Sequence, residues 1–346
     1  MLKKQLLSRY KMKLKDYISI YFFKTNKISK IYKKNDIVTL QFFQRHDNVK
    51  LCGINEVLNL LKKHTDIKKY TIRYLEEGSI INNKEVVLEL EGHYSLFGIW
   101  EGIIDGILAR QTSIATNAYY IKKEAKNKQV VSMADRADHY INQLNDAYAL
   151  EVGGIDNHST LAASSFNYKK TYGSMPHALI QMFNGDTLKA VEAFHETFPN
   201  DNLIALVDFN NDVIKDSLIC LNKFKKDLWG IRVDTSQGVS DKMFENEEQK
   251  EYGVTPNQIK RLREALDKNN GRHVKIIVSS GFNAKRIKEF EDLNTPVDIY
   301  GVGASLLKIW INFSADATKL NGNLVAKVGR HYSQNKRLKI YKGEKL

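Results

Sequence analysis

Two cysteines, Cys52 and Cys220, are all that the 346 residues contain, and they form no CxxC pair. That argues against a disulfide scaffold and a thiolate zinc site, and it fits a reducing cytoplasm. Proline is also scarce, at 4 residues, and no low-complexity linker or internal repeat divides the chain. No apolar run comes near the roughly 18 residues that a membrane span needs. The N-terminal segment MLKKQLLSRYKMKLKDY is basic, but it has neither the apolar centre nor the small-residue cleavage site of a secretory signal. A cytoplasmic protein without membrane contact is therefore expected. What is present is a hydrophobic fraction of 42%, enough for a sizeable core, in a chain whose length points to two domains.

Charge is unevenly spread. The net charge is +13, yet residues 1–50 hold 13 Lys and Arg against 3 Asp and Glu, and residues 323–346 hold 7 against 1. The body between these ends is close to balance. A solvated lysine-rich surface accounts for such ends, and a basic rim that attracts a polyanionic small molecule is the sharper reading. No nucleic-acid motif accompanies the charge, so no specific nucleic-acid partner is expected.

Over residues 1–110 short strands and helices are mixed. Residues 36–43 and 86–92 read as strands and 56–63 has helical spacing. A long helical pattern runs from 96 to 119, with Ile99, Ile103, Ile107 and Ile114 on roughly one face. From about 129 the pattern becomes strand, polar turn, helix, repeated. Apolar strands are expected at 129–133, 203–207, 230–234, 274–278 and 297–300, and helices at 137–150, 211–226, 256–269 and 283–293. Continuous apolar strands alternating with helices indicate a parallel sheet. The expected fold is α/β: an irregular β/α barrel over 111–310, preceded by an α+β domain over 1–110 that residues 311–346 can complete. An open doubly wound sheet is the other arrangement with this pattern.

Polar residues fall at the carboxyl end of strand after strand: Asp208, Arg232, Asp234, Ser280, Gly281, Gly301 and Gly303. Loops from separate strands converge at that end of a barrel, and active sites sit there. The last two turns, Ser279-Ser280-Gly281-Phe282 and Gly301-Val302-Gly303-Ala304-Ser305, are glycine turns leading into helices. Free amides and the positive end of a helix dipole favour a phosphate at such turns. One turn of this kind only ends a buried strand; two in succession point to phosphate. Asp208 and Asp234 can hold sugar hydroxyls or magnesium, which takes few carboxylates beside substrate phosphates. Arg232 shares a strand face with Asp234 and suits a carboxylate or a phosphate. A buried Arg–Asp pair closing the barrel is the plainer alternative.

Upstream, Gly153-Gly154-Ile155-Asp156-Asn157-His158-Ser159 and Tyr172-Gly173-Ser174-Met175-Pro176-His177-Ala178-Leu179 put polar side chains on glycine turns. Alone, a histidine beside a loop is commonly a surface or capping residue. Here it stands in an ordered series. The series starts with Tyr21-Phe22-Phe23-Lys24-Thr25, then Glu91-Gly92 through Phe97-Gly98-Ile99-Trp100-Glu101, then Ile114-Ala115-Thr116. Arg136 follows a short strand, Gly153-Gly154-Ile155-Asp156 precedes Ser159, and the Gly-Ser-Met-Pro-His-Ala run comes next. Arg232-Val233-Asp234 and Gly301-Val302-Gly303 close the set. From about residue 15 to 310 the series resembles nicotinate phosphoribosyltransferase, a type II phosphoribosyltransferase family.

The resemblance implies an ATP-coupled reaction of nicotinate with phosphoribosyl pyrophosphate that gives nicotinate mononucleotide and pyrophosphate and feeds NAD synthesis. It implies that ATP transiently phosphorylates His177. Imidazole suits that role, because it can be a neutral nucleophile and then a leaving group. Ser174 stands where the family has a threonine near nicotinate. Tyr21, supplied by the partner subunit of a homodimer, would stack on the pyridine ring, with Arg136, Ser159 and Arg232 fixing the ring and its carboxylate. Asp208 and Asp234 would hold ribose hydroxyls or magnesium-bound pyrophosphate, which also places Asp234 among the catalytic residues. Ser280, Gly281, Gly301, Gly303 and Ala304 would cradle the 5-phosphate. Magnesium would arrive with the substrates; no permanent metal and no structural zinc are expected.

Three departures from the family pattern stand out. Met133 occupies a place where relatives often have an aromatic, Ala304 replaces the threonine of the usual Gly-Val-Gly-Thr, and the cysteine-bearing C-terminal domain of some relatives has no counterpart. Transfer to nicotinamide or to quinolinate is the neighbouring reading. Nicotinamide enzymes of this kind tend to carry an aspartate near the carboxamide, where this chain has Ser159. Quinolinate enzymes need more basic residues in the pocket and lack the ATP-linked histidine. The distant alternative is a non-enzymatic nucleic-acid-binding protein built on the basic ends.

Overall fold

A computed structural model of the chain describes residues 12–165 and 171–344. The chain divides into two units, Met1–Thr116 with Ile309–Leu346, and Asn117–Lys308. The first unit begins with α1 (Ile20–Tyr32), β1 (Ile37–Phe43), β2 (Val49–Lys50) and α2 (Ile54–His64). It continues through β3 (Thr71–Tyr74), β4 (Ile80–Ile81), β5 (Leu88–His93) and the start of α3 (Glu101–Glu124). The second unit holds β6 (Gln129–Ser132), α4 (Gln143–Val152), β7 (Asn157–His158), α5 (His177–Met182), α6 (Thr187–Thr197) and β8 (Leu203–Leu206). Then come α7 (Val213–Phe224), β9 (Leu228–Val233), α8 (Pro256–Lys268), β10 (Lys275–Val278), α9 (Ala284–Asp292) and β11 (Ile299–Val302). The chain returns to the first unit with β12 (Ser314–Leu320), β13 (Asn323–Leu324) and β14 (Lys339–Ile340).

The first unit is an α+β domain on an antiparallel sheet of order β13-β12-β1-β5-β3-β14. Its central strand β1 is buried from Thr39 to Phe42, so both faces are covered. Leu40 and Phe42 enter the core, while Gln41 on the other face needs polar partners. It finds them in Glu89 Oε2 at 2.7 Å and in the Ser333 carbonyl and amide at 2.8 and 3.0 Å. Arg73 on β3 donates to Glu89 and Glu91 on β5, each at 2.7 Å, which pairs opposite charges across neighbouring strands. Helix α2 buries Ile54, Val57, Leu58 and Leu61 at the three-and-four spacing of one helical face.

The second unit carries a parallel sheet of order β7-β6-β11-β10-β9-β8. Its strands are short apolar runs, and β11 is buried at all four positions, as expected where both faces of a parallel sheet are covered. Four of the helices between them begin at side-chain caps. Asp186, Asp212, Thr255 and Asn283 accept from backbone amides three residues on, opening α6, α7, α8 and α9. Each such cap contributes about 1 kcal/mol. The sheet is a curled half-barrel with two ends, β7 and β8. The sequence pattern predicts a barrel, and the fold class holds. Closure does not follow, because six strands fall short of the roughly eight that fill a small barrel. The helix expected from 137 starts at 143, since Asp138 and His139 use their side chains to hold a turn and a 3-10 segment over Tyr140–Asn142. Among the described residues no helix is long and apolar enough to cross a membrane.

Candidate active site

The carboxyl ends of the parallel strands open on a cavity of about 1070 Å³. Every expected site residue except Tyr21 and Asp208 lines it: Arg136, Ser159, Ser174, His177, Arg232, Asp234, Ser280, Gly281, Gly301, Gly303 and Ala304. Tyr21 lies on α1 of the first unit, 59% exposed, with its ring centroid 4.2 Å from that of Phe22. Asp208 follows β8 and bonds to His177, and its side chain is only 7% exposed.

His177 is the first residue of α5, preceded by Pro176 in an extended conformation. Upstream, Thr171 makes a parallel bridge to His158, and the Tyr172 amide donates to the His158 carbonyl at 2.8 Å. The run from Tyr172 to Pro176 thereby continues the β7 edge and delivers the imidazole to the cavity. His177 Nε2 lies 2.9 Å from Asp208 Oδ2. A carboxylate only accepts, so Nε2 carries a proton, and in the neutral ring the lone pair then lies on Nδ1. Burial lifts the Asp208 carboxyl above its usual range, and the neighbouring His177 pulls it part of the way back.

On the neighbouring strand, β9, Arg232 Nη2 stands 3.7 Å from Oδ2 of Asp234, the residue just past the strand, with side chains 17% and 19% exposed. Asp234 Oδ1 accepts from Ser279 Oγ at 2.7 Å. Two buried polar atoms at the cavity, Arg232 Nε and Ser174 Oγ, have no protein partner. Each such vacancy costs about 1–3 kcal/mol unless something else fills it, and a polar ligand in the cavity would do so. Among the described residues no group of three or more His, Cys, Asp or Glu is placed to hold a metal ion.

The two glycine turns are built differently from one another. Ser280 and Gly281 both have positive φ, 77° and 73°. That conformation is unusual for serine, and Arg286 holds it in place. The guanidinium donates to the Ser280 carbonyl at 2.8 Å and to the Val254 carbonyl, and it lies 4.6 Å from the Phe282 ring centroid. A side chain at Gly281 would strike Gln237 Nε2 at 2.0 Å. At Gly301 the constraint is packing: a Cβ would fall 2.6 Å from Met133 Sδ and 2.8 Å from Met133 Cε. Met133 therefore lies across the glycine, at the place where an aromatic was expected. Ser305 Oγ donates to the Phe282 carbonyl at 2.8 Å and ties the last two loops together.

Three residues escaped the sequence reading. Asp135 lines the cavity and accepts from Ser159 Oγ at 3.0 Å; its place next to Arg136 was the available signal. Ser279 was read as part of a strand end rather than as the partner of Asp234. Arg286 lies inside a helix and gave no signal at all.

Comparison with known proteins agrees with the fold. Residues 19–112 match the family model for the quinolinate phosphoribosyl transferase N-terminal domain. The fold superimposes on the nicotinate-nucleotide pyrophosphorylase of Pyrococcus furiosus with a TM-score of 0.80 and 28% identity, over 96% of this chain and 84% of that one. Human nicotinic acid phosphoribosyltransferase gives a TM-score of 0.69 at 15% identity, covering 91% and 77% of the two chains. NadC from Streptococcus pyogenes gives 0.60 at 16% identity, covering 87% and 97%. The last two likenesses bear on the fold alone. Half-barrel and α+β domain match the type II phosphoribosyltransferase fold. Together with the N-terminal match and the Pyrococcus structure, they support the type II phosphoribosyltransferase family for this chain.

Proposed function

We propose that the chain transfers the phosphoribosyl group of phosphoribosyl pyrophosphate to nicotinate, coupled to ATP through a phosphohistidine at His177, in NAD biosynthesis. The observation that carries the reading is the His177–Asp208 pair at 2.9 Å beside the cavity. His177 Nδ1 would attack the γ-phosphorus of ATP, ADP would leave, and Asp208 would hold the Nε2 proton and offset the positive charge that develops on the ring. In the transfer step the pyridine nitrogen attacks the sugar carbon as pyrophosphate departs. The nitrogen loses no proton, so no general base is needed. Positioning and electrostatics supply the acceleration. Arg136 and Ser174 suit the acceptor, while Ser159 gives its proton to Asp135. Ser280, Gly281, Gly303 and Ala304 suit the 5-phosphate, with Gly301 leaving room for Met133. Asp234, held by Ser279, suits ribose hydroxyls or the magnesium that comes with pyrophosphate. Tyr21, exposed on α1, would serve a homodimer by reaching the partner's cavity.

Quinolinate is the second reading, and the comparisons back it better than the first. The family model is named for quinolinate transfer, and nicotinate nucleotide is the product in either case. Among the described residues, the cationic side chains lining the cavity are Arg136 and Arg232, beside His177. Parallel assays with nicotinate, nicotinamide and quinolinate, each with and without ATP, decide between them. Nicotinate turnover stimulated by ATP is expected. Carbon dioxide release from quinolinate without any ATP effect would replace the first reading with the second.

A further inference from the structure

We propose that Asp135 limits the charge an acceptor ring can carry, admitting neutral and singly charged pyridines and turning away dianionic ones. The inference rests on the reading of the cavity as a pyridine site and adds a determinant to it. Pairing of β6 with β7 in the register Ser132↔His158 brings the loop after β6 alongside Ser159, whose amide donates to the Ser132 carbonyl at 3.0 Å. The Ser159 hydroxyl then donates to Asp135 Oδ1, also at 3.0 Å. That bond holds the carboxylate at the cavity edge. It also uses the serine's one proton, so the Ser159 oxygen meets a ligand with lone pairs alone. Among the described residues, the charged side chains lining the cavity besides His177 are Arg136, Arg232, Asp135 and Asp234, whose formal charges cancel. Arg232 is already 3.7 Å from Asp234, so of these described cations Arg136 is the one left to meet an acceptor carboxylate. A second carboxylate on the ring finds the Asp135 charge and the Ser159 lone pairs at the same edge, and both repel it.

Asp135 is exposed, so Asp135→Asn should fold, and its amide oxygen can keep the Ser159 bond while the charge is lost. The test is titration calorimetry on the full chain and on this variant with nicotinamide, nicotinate and quinolinate, with and without phosphoribosyl pyrophosphate, at low and high salt. A charge effect scales with ligand charge. At low salt the variant should bind nicotinamide unchanged, nicotinate about 3-fold tighter and quinolinate about 10-fold tighter, and the spread should shrink at high salt. Asp135→Glu should restore the parent order. Equal changes for the three ligands, or none, overturn the inference even if phosphoribosyl transfer is intact. Graded binding without any transfer sinks only the proposed reaction. Failure of all three ligands to bind either protein removes both.

Discussion

Replacing Asp208 with asparagine isolates the contact on which phosphorylation of His177 would depend. In the parent the carboxylate accepts from Nε2 at 2.9 Å, which fixes the tautomer with a lone pair on Nδ1. In Asp208→Asn the amide can turn its NH2 toward the ring. The imidazole proton then moves to Nδ1 and the nucleophile is gone. Water cannot readily replace the bond, because the Asp208 side chain is 7% exposed. A hydrogen bond to a charged group contributes about 1.5–3 kcal/mol, so phosphorylation should slow by roughly 10- to 150-fold. The fold should not suffer. Burial raises the folded-state pKa of Asp208 above the usual aspartate range. An acid shifted in that direction destabilises the folded state when ionised: the penalty is absent below the unfolded pKa and complete above the folded one. A neutral amide should therefore hold or raise Tm at neutral pH. The assay measures initial rates with and without ATP, together with acid-labile phosphate transferred from labelled ATP. ATP stimulation and phosphohistidine yield that stay within about twofold of the parent would refute the reasoning.

Other variants probe other parts of the molecule. Gly301→Ala should cost less than about 1 kcal/mol, because the added Cβ meets the flexible end of Met133, which can swing aside; a loss of Tm equivalent to more than about 2 kcal/mol would show that Met133 is held in place. Arg286→Ala should release the Ser280–Gly281 turn and raise KM for phosphoribosyl pyrophosphate about 10-fold with a smaller change in kcat, and an unchanged KM would show that the turn holds without its brace. Glu101 and Asp105 in the first unit are both pushed up to about 7, by burial first; Asp105 adds to the rise at Glu101, and Asp316 adds at both. Their raised folded pKa values mean that stability falls as pH rises from about 4 to about 8, so Glu101→Gln should gain on the order of 1–2 kcal/mol at the upper end and nothing at the lower; denaturant melts showing the same gain at both ends would contradict this.

The parallel strands were legible because both their faces are buried, so each reads as an unbroken apolar run closed by a polar turn. Leu203–Leu206, Lys275–Val278 and Ile299–Val302 all fall within two residues of their expected limits. The antiparallel sheet was harder. β14 is two exposed residues, and β12 alternates Ala with Asp, Thr and Lys while only its third and fifth positions are buried. Neither has the apolar run by which a strand announces itself. Helix α1 buries just Phe22, Asn26 and Ser29, while Ile20, Tyr21, Ile28, Ile31 and Tyr32 are exposed. Its apolar residues therefore do not trace one helical face, and the segment was noticed for its tyrosine rather than its periodicity.

In the candidate site the individual residues were legible and their pairings were not, and strand order explains the difference. β9 and β10 are neighbours in the register Val233↔Val278, so the next residues, Asp234 and Ser279, stand side by side and bond. β6 and β7 are neighbours in the register Ser132↔His158, which brings Ser159 within reach of Asp135. Asp208 was expected on ribose or pyrophosphate because it ends a strand, as do the other ligand candidates. Its position after β8, at the open end of the sheet, gives it the His177 ring as its partner. Had the sheet closed by pairing β8 with β7, Asp208 would have gained a strand on that side and competing partners with it. The half-barrel's open edge thus leaves His177 as the hydrogen-bond partner of this carboxylate among the described residues, while the charge of Asp234 on the neighbouring strand still raises the Asp208 carboxyl.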